Sequence, residues 1–170
     1  MKTNHQYGLI LGRFQPPCLH HFEFIKEVLG SGIHELIIGI GQPKELDSRH
    51  FLTSEEVRNL LIPNLDSLNF PYQIFTIPDI NDPKNYVDHV QKIINFISEN
   101  NTCLFTENIY TSDCFVNYGH NYQTIIPTIL DNHATNVRQF MLSEDLSWQS
   151  LVPQNVFQFL IENKKCPQKL

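Results

Sequence analysis

The sequence predicts a doubly wound α/β domain: a mostly parallel five-stranded sheet with helices on both faces. Three observations carry this. Short apolar runs alternate with amphipathic stretches along the chain. The run Glu35-Leu-Ile-Ile-Gly-Ile-Gly41 is apolar on both faces, as a parallel strand covered on both sides requires. Loops at Gly12-Arg13, Gly41-Gln42, Pro78-Asp79 and Thr106-Glu107-Asn108 follow the strand-like runs, where ligands of such sheets bind.

Taken in order, residues 7–12 are apolar, end in glycine and read as a buried first strand. A loop with Pro16 and Pro17 follows. Residues 20–29 set Phe22, Ile25, Val28 and Leu29 at helical spacing, and Gly30 and Gly32 end that helix. Residues 35–41 are the second strand, followed by a polar loop over 42–51. Thr53 or Ser54 caps a helix through Leu61. Glu55 and Glu56 sit in its first turn, and Pro63 is expected to stop it. Residues 72–77 are the third strand. A loop over 78–84 leads into a helix over about 85–99, with Val87, Val90, Ile93, Ile94 and Ile97 on one face. A fourth strand (102–106), a short helix (109–117), a fifth strand (122–126) and a helix over 132–142 come next. Pro153 starts a last helix with Val156, Phe157, Leu160 and Ile161 apolar. No repeat, low-complexity tract or linker interrupts the series. Residues 1–170 therefore read as one domain, with a C-terminal helical segment from about residue 145 that packs on its own domain or on a neighbour.

The 170 residues suffice for one full core, and 41% hydrophobic against 18% charged marks a globular chain. A formal charge of −6 argues against nucleic-acid or anionic-membrane partners, which need a basic face. A phosphate ligand must then be held by a few local cations and backbone N–H groups. No stretch approaches the ~20 apolar residues of a membrane span. The opening is polar, without a signal-peptide pattern, and none of Cys18, Cys103, Cys114 and Cys166 forms a C-x-x-C pair. These features predict a cytoplasmic protein with free thiols.

Two segments carry chemistry. The first is Gly12-Arg13-Phe14-Gln15-Pro16-Pro17-Cys18-Leu19-His20-His21, a strand end followed by a helix start. A glycine there lets the backbone approach a ligand. The helix N-terminus offers free N–H groups and a partial positive charge to an anion, and imidazoles there can donate to phosphate. A proline-stiffened turn with incidental histidines explains the same residues equally well. The second is His133-Ala134-Thr135-Asn136-Val137-Arg138, in which Thr135 and Arg138 share a helical face. Alone, such a pair is more often a solvated face than a phosphate site.

Together the segments resemble the GRFQPxHxGH and S-x-T-x-x-R motifs of the nucleotidyltransferase superfamily. Three further stretches narrow the resemblance to the archaeal-type nicotinamide mononucleotide adenylyltransferases. Glu35 to Gly41 with Phe51-Leu-Thr-Ser-Glu-Glu-Val-Arg58 is similar to that family's E-L-I-I-x-I-G strand and N-P-F-T-x-x-E-R helix start. Ile77-Pro78-Asp79-Ile80-Asn81 with Tyr86-Val87-Asp88-His89-Val90 is similar to its I-P-D-I-N…W-V-x-H-V. Phe105-Thr106-Glu107-Asn108 sits where the family has its S-G-N turn.

The resemblance implies a Rossmann-like nucleotidyltransferase fold and transfer of AMP from ATP to nicotinamide mononucleotide, giving NAD and pyrophosphate, with Mg2+ carried by the ATP. It implies that Gly12, Arg13, Phe14, Cys18, His20, His21, Thr135 and Arg138 bind ATP. Arg13 touches phosphate, His21 is the leading catalytic residue, and Thr135 and Arg138 hold the β- and γ-phosphates. Asp79, Asn81, Tyr86 and Asn108 bind the mononucleotide, Tyr86 standing for the tryptophan that stacks on the nicotinamide ring. For Asp79, Asn81 and Asn108 turn capping is the other reading, and for Tyr86 a place in the core. Relatives form multimers, but no surface in this sequence declares a subunit interface, so the oligomeric state stays open, a homo-oligomer among the options.

Within its two phosphate-binding motifs the chain departs from the pattern at four places. Cys18 stands for the first motif histidine, His20 for the motif glycine, His133 for the distal serine and Ala134 for a glycine found in relatives. Three readings follow: an active enzyme in which His20 or His133 supplies the lost contact; a nucleotide-binding sensor or partner without turnover; or a transition-metal site of Cys18, His20, His21 and His133.

Overall fold

The computed structural model describes residues 2–126 and 133–167 and, for His133, the backbone alone. Five strands make one sheet: β1 (Tyr7–Gly12), β2 (Glu35–Gln42), β3 (Tyr72–Pro78), β4 (Thr102–Phe105) and β5 (Gln123–Ile125). Their order is β3-β2-β1-β4-β5 and every pairing is parallel. The chain winds outward from β1 in both directions, so the switch point lies between β1 and β4.

Successive strand residues face opposite layers. Ile10, Ile38 and Phe105 enter one core with the apolar faces of α1 (Leu19–Leu29), α2 (Ser54–Asp66), α5 (His133–Leu142) and α6 (Gln154–Glu162). Leu9, Ile37 and Leu104 enter the other, against α3 (Tyr86–Ile93) and α4 (Ile109–Val116). This is the two-sided burial expected of a continuously apolar strand.

Two expectations about helices need correction. Pro63 does not stop α2, which runs to Asp66. Leu61 and Leu65, 0% and 1% exposed, lie on the same buried face on either side of the proline, and that burial outweighs the one backbone bond a proline removes. The Leu60 carbonyl accepts from the side chains of Asn64 (3.2 Å) and Asn155 (3.0 Å), which fastens this turn to α6. The helix expected over 85–99 stops at Ile93, after a short 3-10 turn at Pro83–Asn85. Ile94 leaves the helix with ψ 75°, and it and Ile97 turn into the core. The Asn101 side chain accepts from the Ser98 N–H (2.8 Å) and donates to the Phe96 carbonyl (2.9 Å), replacing helical bonds there.

Thr53 is the N-cap of α2. Its amide donates to Glu56 (2.8 Å) and its hydroxyl accepts from the Glu56 amide (3.2 Å). Asn132, where the fifth helix was expected to start, lies outside the described residues. The C-terminal segment packs on its own chain: Trp148 stacks near Phe157 (5.6 Å) and Lys165 pairs with Glu56 (2.7 Å). No helix among the described residues is long and apolar enough to cross a membrane.

Candidate active site

The loops after the first four strands open on one cavity of about 620 Å³ at the carboxyl edge of the sheet. Of the residues singled out from the sequence, Gly12, Arg13, Phe14, His20, His21, Asp79, Asn81, Tyr86, Asn108 and Arg138 line it; Cys18 and Thr135 do not.

Cys18 is the N-cap of α1 with an extended backbone. That conformation turns its side chain into the core, where it is fully buried. Burial pushes the thiol pKa up to about 11, so it is a neutral thiol at pH 7. The Cys18 side chain, expected at the ATP site, thus stands away from the cavity lining: its sulfur faces His21 Nδ1 at 3.2 Å. The Cys18 backbone N–H donates to the same Nδ1 at 3.0 Å. With Nδ1 accepting, the proton of the neutral His21 ring is on Nε2, so that nitrogen is a donor.

Phe14 packs under this histidine, ring centroids 4.9 Å apart. It has φ 50°, a left-handed conformation, and is nearly fully buried. A Cβ on Gly12 would lie 3.0 Å from the Phe14 ring. Gly12 thus makes room for this ring, not for a ligand alone.

Gln15 joins two loops. Its Nε2 donates to the Leu52 carbonyl (2.8 Å) and its Oε1 accepts from the Leu52 N–H (2.9 Å), both within the protein interior. Its own carbonyl accepts from Arg138 Nη1 at 2.6 Å, and Arg138 Nη2 donates to Thr135 Oγ1 at 3.0 Å. Thr135 therefore orients the guanidinium on α5. Burial first, then the nearby Arg49, holds the Arg138 pKa below the usual arginine value.

On the other side of the cavity Arg13 Nη2 pairs with Asp79 Oδ2 at 2.7 Å. Tyr86 presents an edge to Phe115, centroids 6.4 Å apart. Burial, then Asp79, pushes its phenol pKa up to about 12. Asn108 caps α4, its side chain accepting from the Thr111 N–H at 3.3 Å. His20, only 5% exposed, reaches across the switch point to Glu107 Oε1 at 3.2 Å.

Arg49, His50 and Glu107 also line the cavity and were missed from sequence as site residues. Arg49 and His50 lie in a polar loop with no periodic pattern; the available signal was its position after a strand end. His50 Nδ1 is 3.0 Å from Asp47. Burial, then repulsion from Arg13, lowers the His50 pKa. Among the described residues no group of three or more His, Cys, Asp or Glu side chains is placed to hold a metal ion. The side chain of His133, part of that metal reading, lies outside the described residues.

Three cations, Arg13, Arg49 and Arg138, and the first turn of α1 thus face one cavity in a chain of formal charge −6. Such a site suits a polyanion.

No family model matches the chain. Its sequence is 32% identical over 165 residues to a nicotinamide-nucleotide adenylyltransferase of Thermococcus sibiricus, covering 92% of this chain and 84% of the relative. One of Methanococcus aeolicus is 26% identical over 160 residues, covering 91% and 88%. Among solved structures, a bifunctional NMN adenylyltransferase/ADP ribose pyrophosphatase of Francisella tularensis superposes with a TM-score of 0.78 at 18% identity, covering 93% of this chain. The chain spans about half of that protein's length, 49%. A second structure of the Francisella protein, complexed with AMP and a Mn ion, gives a TM-score of 0.76.

Proposed function

Because the chain belongs to the nicotinamide-nucleotide adenylyltransferase family, we propose a division of labour among its residues for that family's reaction. The protein transfers AMP from ATP to nicotinamide mononucleotide. An oxygen of the mononucleotide 5′-phosphate bonds to the α-phosphorus of ATP, the bond from that phosphorus to the bridging oxygen breaks, and pyrophosphate leaves with NAD as the other product. The attacking group is already an anion, so the protein's task is alignment and charge stabilisation.

The observation supporting this reading is the convergence of Arg13, His21 and Arg138 from β1, α1 and α5 on one cavity. His21 donates from Nε2 to the reacting phosphates. Arg138, oriented by Thr135, and Arg49 hold the β- and γ-phosphates. Arg13, tied to Asp79, faces the junction between the two substrates. Gly12 and Phe14 shape the loop beneath the phosphates, and Cys18 acts through its backbone and His21. Tyr86 offers the face for the nicotinamide ring, and Asp79, Asn81 and Asn108 frame the mononucleotide.

The cavity carboxylates Asp79 and Glu107 are each engaged, by Arg13 and His20. This donor set fits Mg2+ that arrives on the triphosphate, ligated by phosphate oxygens and water. When bound it neutralises charge on the leaving pyrophosphate. The working compartment in this reading is the cytoplasm, where thiols stay reduced.

The test is pyrophosphate release by purified protein given ATP with nicotinamide mononucleotide or its acid form. Release is expected only with a mononucleotide present, and the ratio of the two rates assigns amide or acid. His21→Ala should lower the rate by about 100-fold or more, as loss of one donor at a developing charge does. ATP binding without release under any condition would instead identify a nucleotide-binding sensor.

A further inference from the structure

Two of the chain's departures from its family's motifs touch each other. His20 occupies the glycine position of the first motif and Glu107 the glycine position of the S-G-N turn. They are 87 residues apart in sequence, yet His20 Nε2 and Glu107 Oε1 are 3.2 Å apart. The imidazole is buried, with 7% of its side chain exposed, while the carboxylate keeps 31% and lines the cavity. The exposed member is therefore the one a ligand meets, and the buried member is what holds it.

A carboxylate in a cavity built for phosphates must face a part of the ligands that is not anionic, since like charges at close range oppose binding. Through His20 of α1, Glu107 is held beside the helix that carries His21, and it lines the cavity together with Phe24 of that helix and Ala134 of α5. Asp79 follows β3, and β2 and β1 separate it from β4. At ~4.8 Å per strand spacing the two carboxylates stand on opposite sides of the cavity, roughly 14 Å apart along the sheet. Glu107 therefore belongs to the ATP side, and Asp79 to the mononucleotide side. ATP has two kinds of neutral donor, the adenine amino group and the paired ribose hydroxyls. The hydroxyls are the nearer to the phosphates, and Glu107 is held by His20, the neighbour of the phosphate-facing His21, much as an acidic residue beyond a parallel strand reads a ribose.

We propose that Glu107, anchored by His20, accepts hydrogen bonds from the ATP ribose hydroxyls and makes this chain selective for ribonucleotides. Glu107 is then a specificity-determining residue and His20 its positioning residue. The proposal rests on the ATP side of the functional reading above.

Equilibrium binding of ATP and 2′-deoxy-ATP tests it without requiring turnover. The natural protein is expected to bind ATP at least tenfold more tightly, the scale of a hydrogen bond to a charged group. Glu107→Gly should bring the ratio below about threefold, while Glu107→Gln, which keeps an acceptor, should fall between. His20→Ala should also shrink the ratio, because the carboxylate loses its anchor. An unchanged ratio in Glu107→Gly overturns the proposal. Equal weakening of both nucleotides in His20→Ala overturns the positioning role. Failure of the adenylyltransfer reading would appear separately, as intact binding without pyrophosphate release.

Discussion

Gln15→Ala is the most informative single change in the site. The Gln15 carboxamide pairs with both backbone groups of Leu52, at 2.8 and 2.9 Å. Gln15 is 3% exposed and Leu52 0%, so water does not replace the lost partner. Leaving a buried donor or acceptor unsatisfied costs about 1–3 kcal/mol, so orphaning two costs roughly 2–6 kcal/mol. For a domain of this size each kcal/mol lowers the melting temperature by about 2–4 °C, giving an expected fall of roughly 4–24 °C. Gln15→Met keeps the volume but loses the same bonds, so its fall should approach that of the alanine variant. The bond pair also fixes the loop carrying Arg49 and His50, so the KM for ATP should rise in both variants. Thermal melts and initial rates against ATP measure the two effects. A melting temperature within about 2 °C of the natural protein, with unchanged KM, would refute the role given to this carboxamide.

The thiols and a histidine give two more tests. A maleimide should label only Cys166, the exposed thiol, in the native protein, and Cys18, Cys103 and Cys114 only after unfolding; rapid native labelling of Cys18 would contradict its burial behind His21. The folded pKa of His50 lies below its ordinary value, so the unfolded chain takes up the proton first as pH falls. The histidine's contribution is therefore present above about pH 6.5 and is lost at lower pH. The melting temperature should drop less between pH 7.5 and 5.5 in His50→Gln than in the natural protein, and equal drops would disprove the assignment.

The sheet was legible because its strands are apolar on both faces, a pattern that Leu9 with Ile10 and Ile37 with Ile38 carry within a few residues. Helix ends were less so. Pro63 is a local stop signal that the distant burial of Leu65 overrules, and the end of α3 depends on Ile94 and Ile97 finding the core. In the site, the motif letters located the strand end and the distal helix but not the division of roles. Thr135 orients an arginine, Gly12 admits a phenylalanine, and Cys18 faces inward. The His20–Glu107 contact leaves no trace in local patterning, because its halves come from different crossovers and meet only in three dimensions.

The bond from Arg138 to the Gln15 carbonyl spans 123 residues of chain. During synthesis, which proceeds from the N-terminus at ~5–20 residues per second, the first loop emerges long before its partner. For many seconds the nascent chain carries the glycine-arginine loop without the guanidinium that closes it.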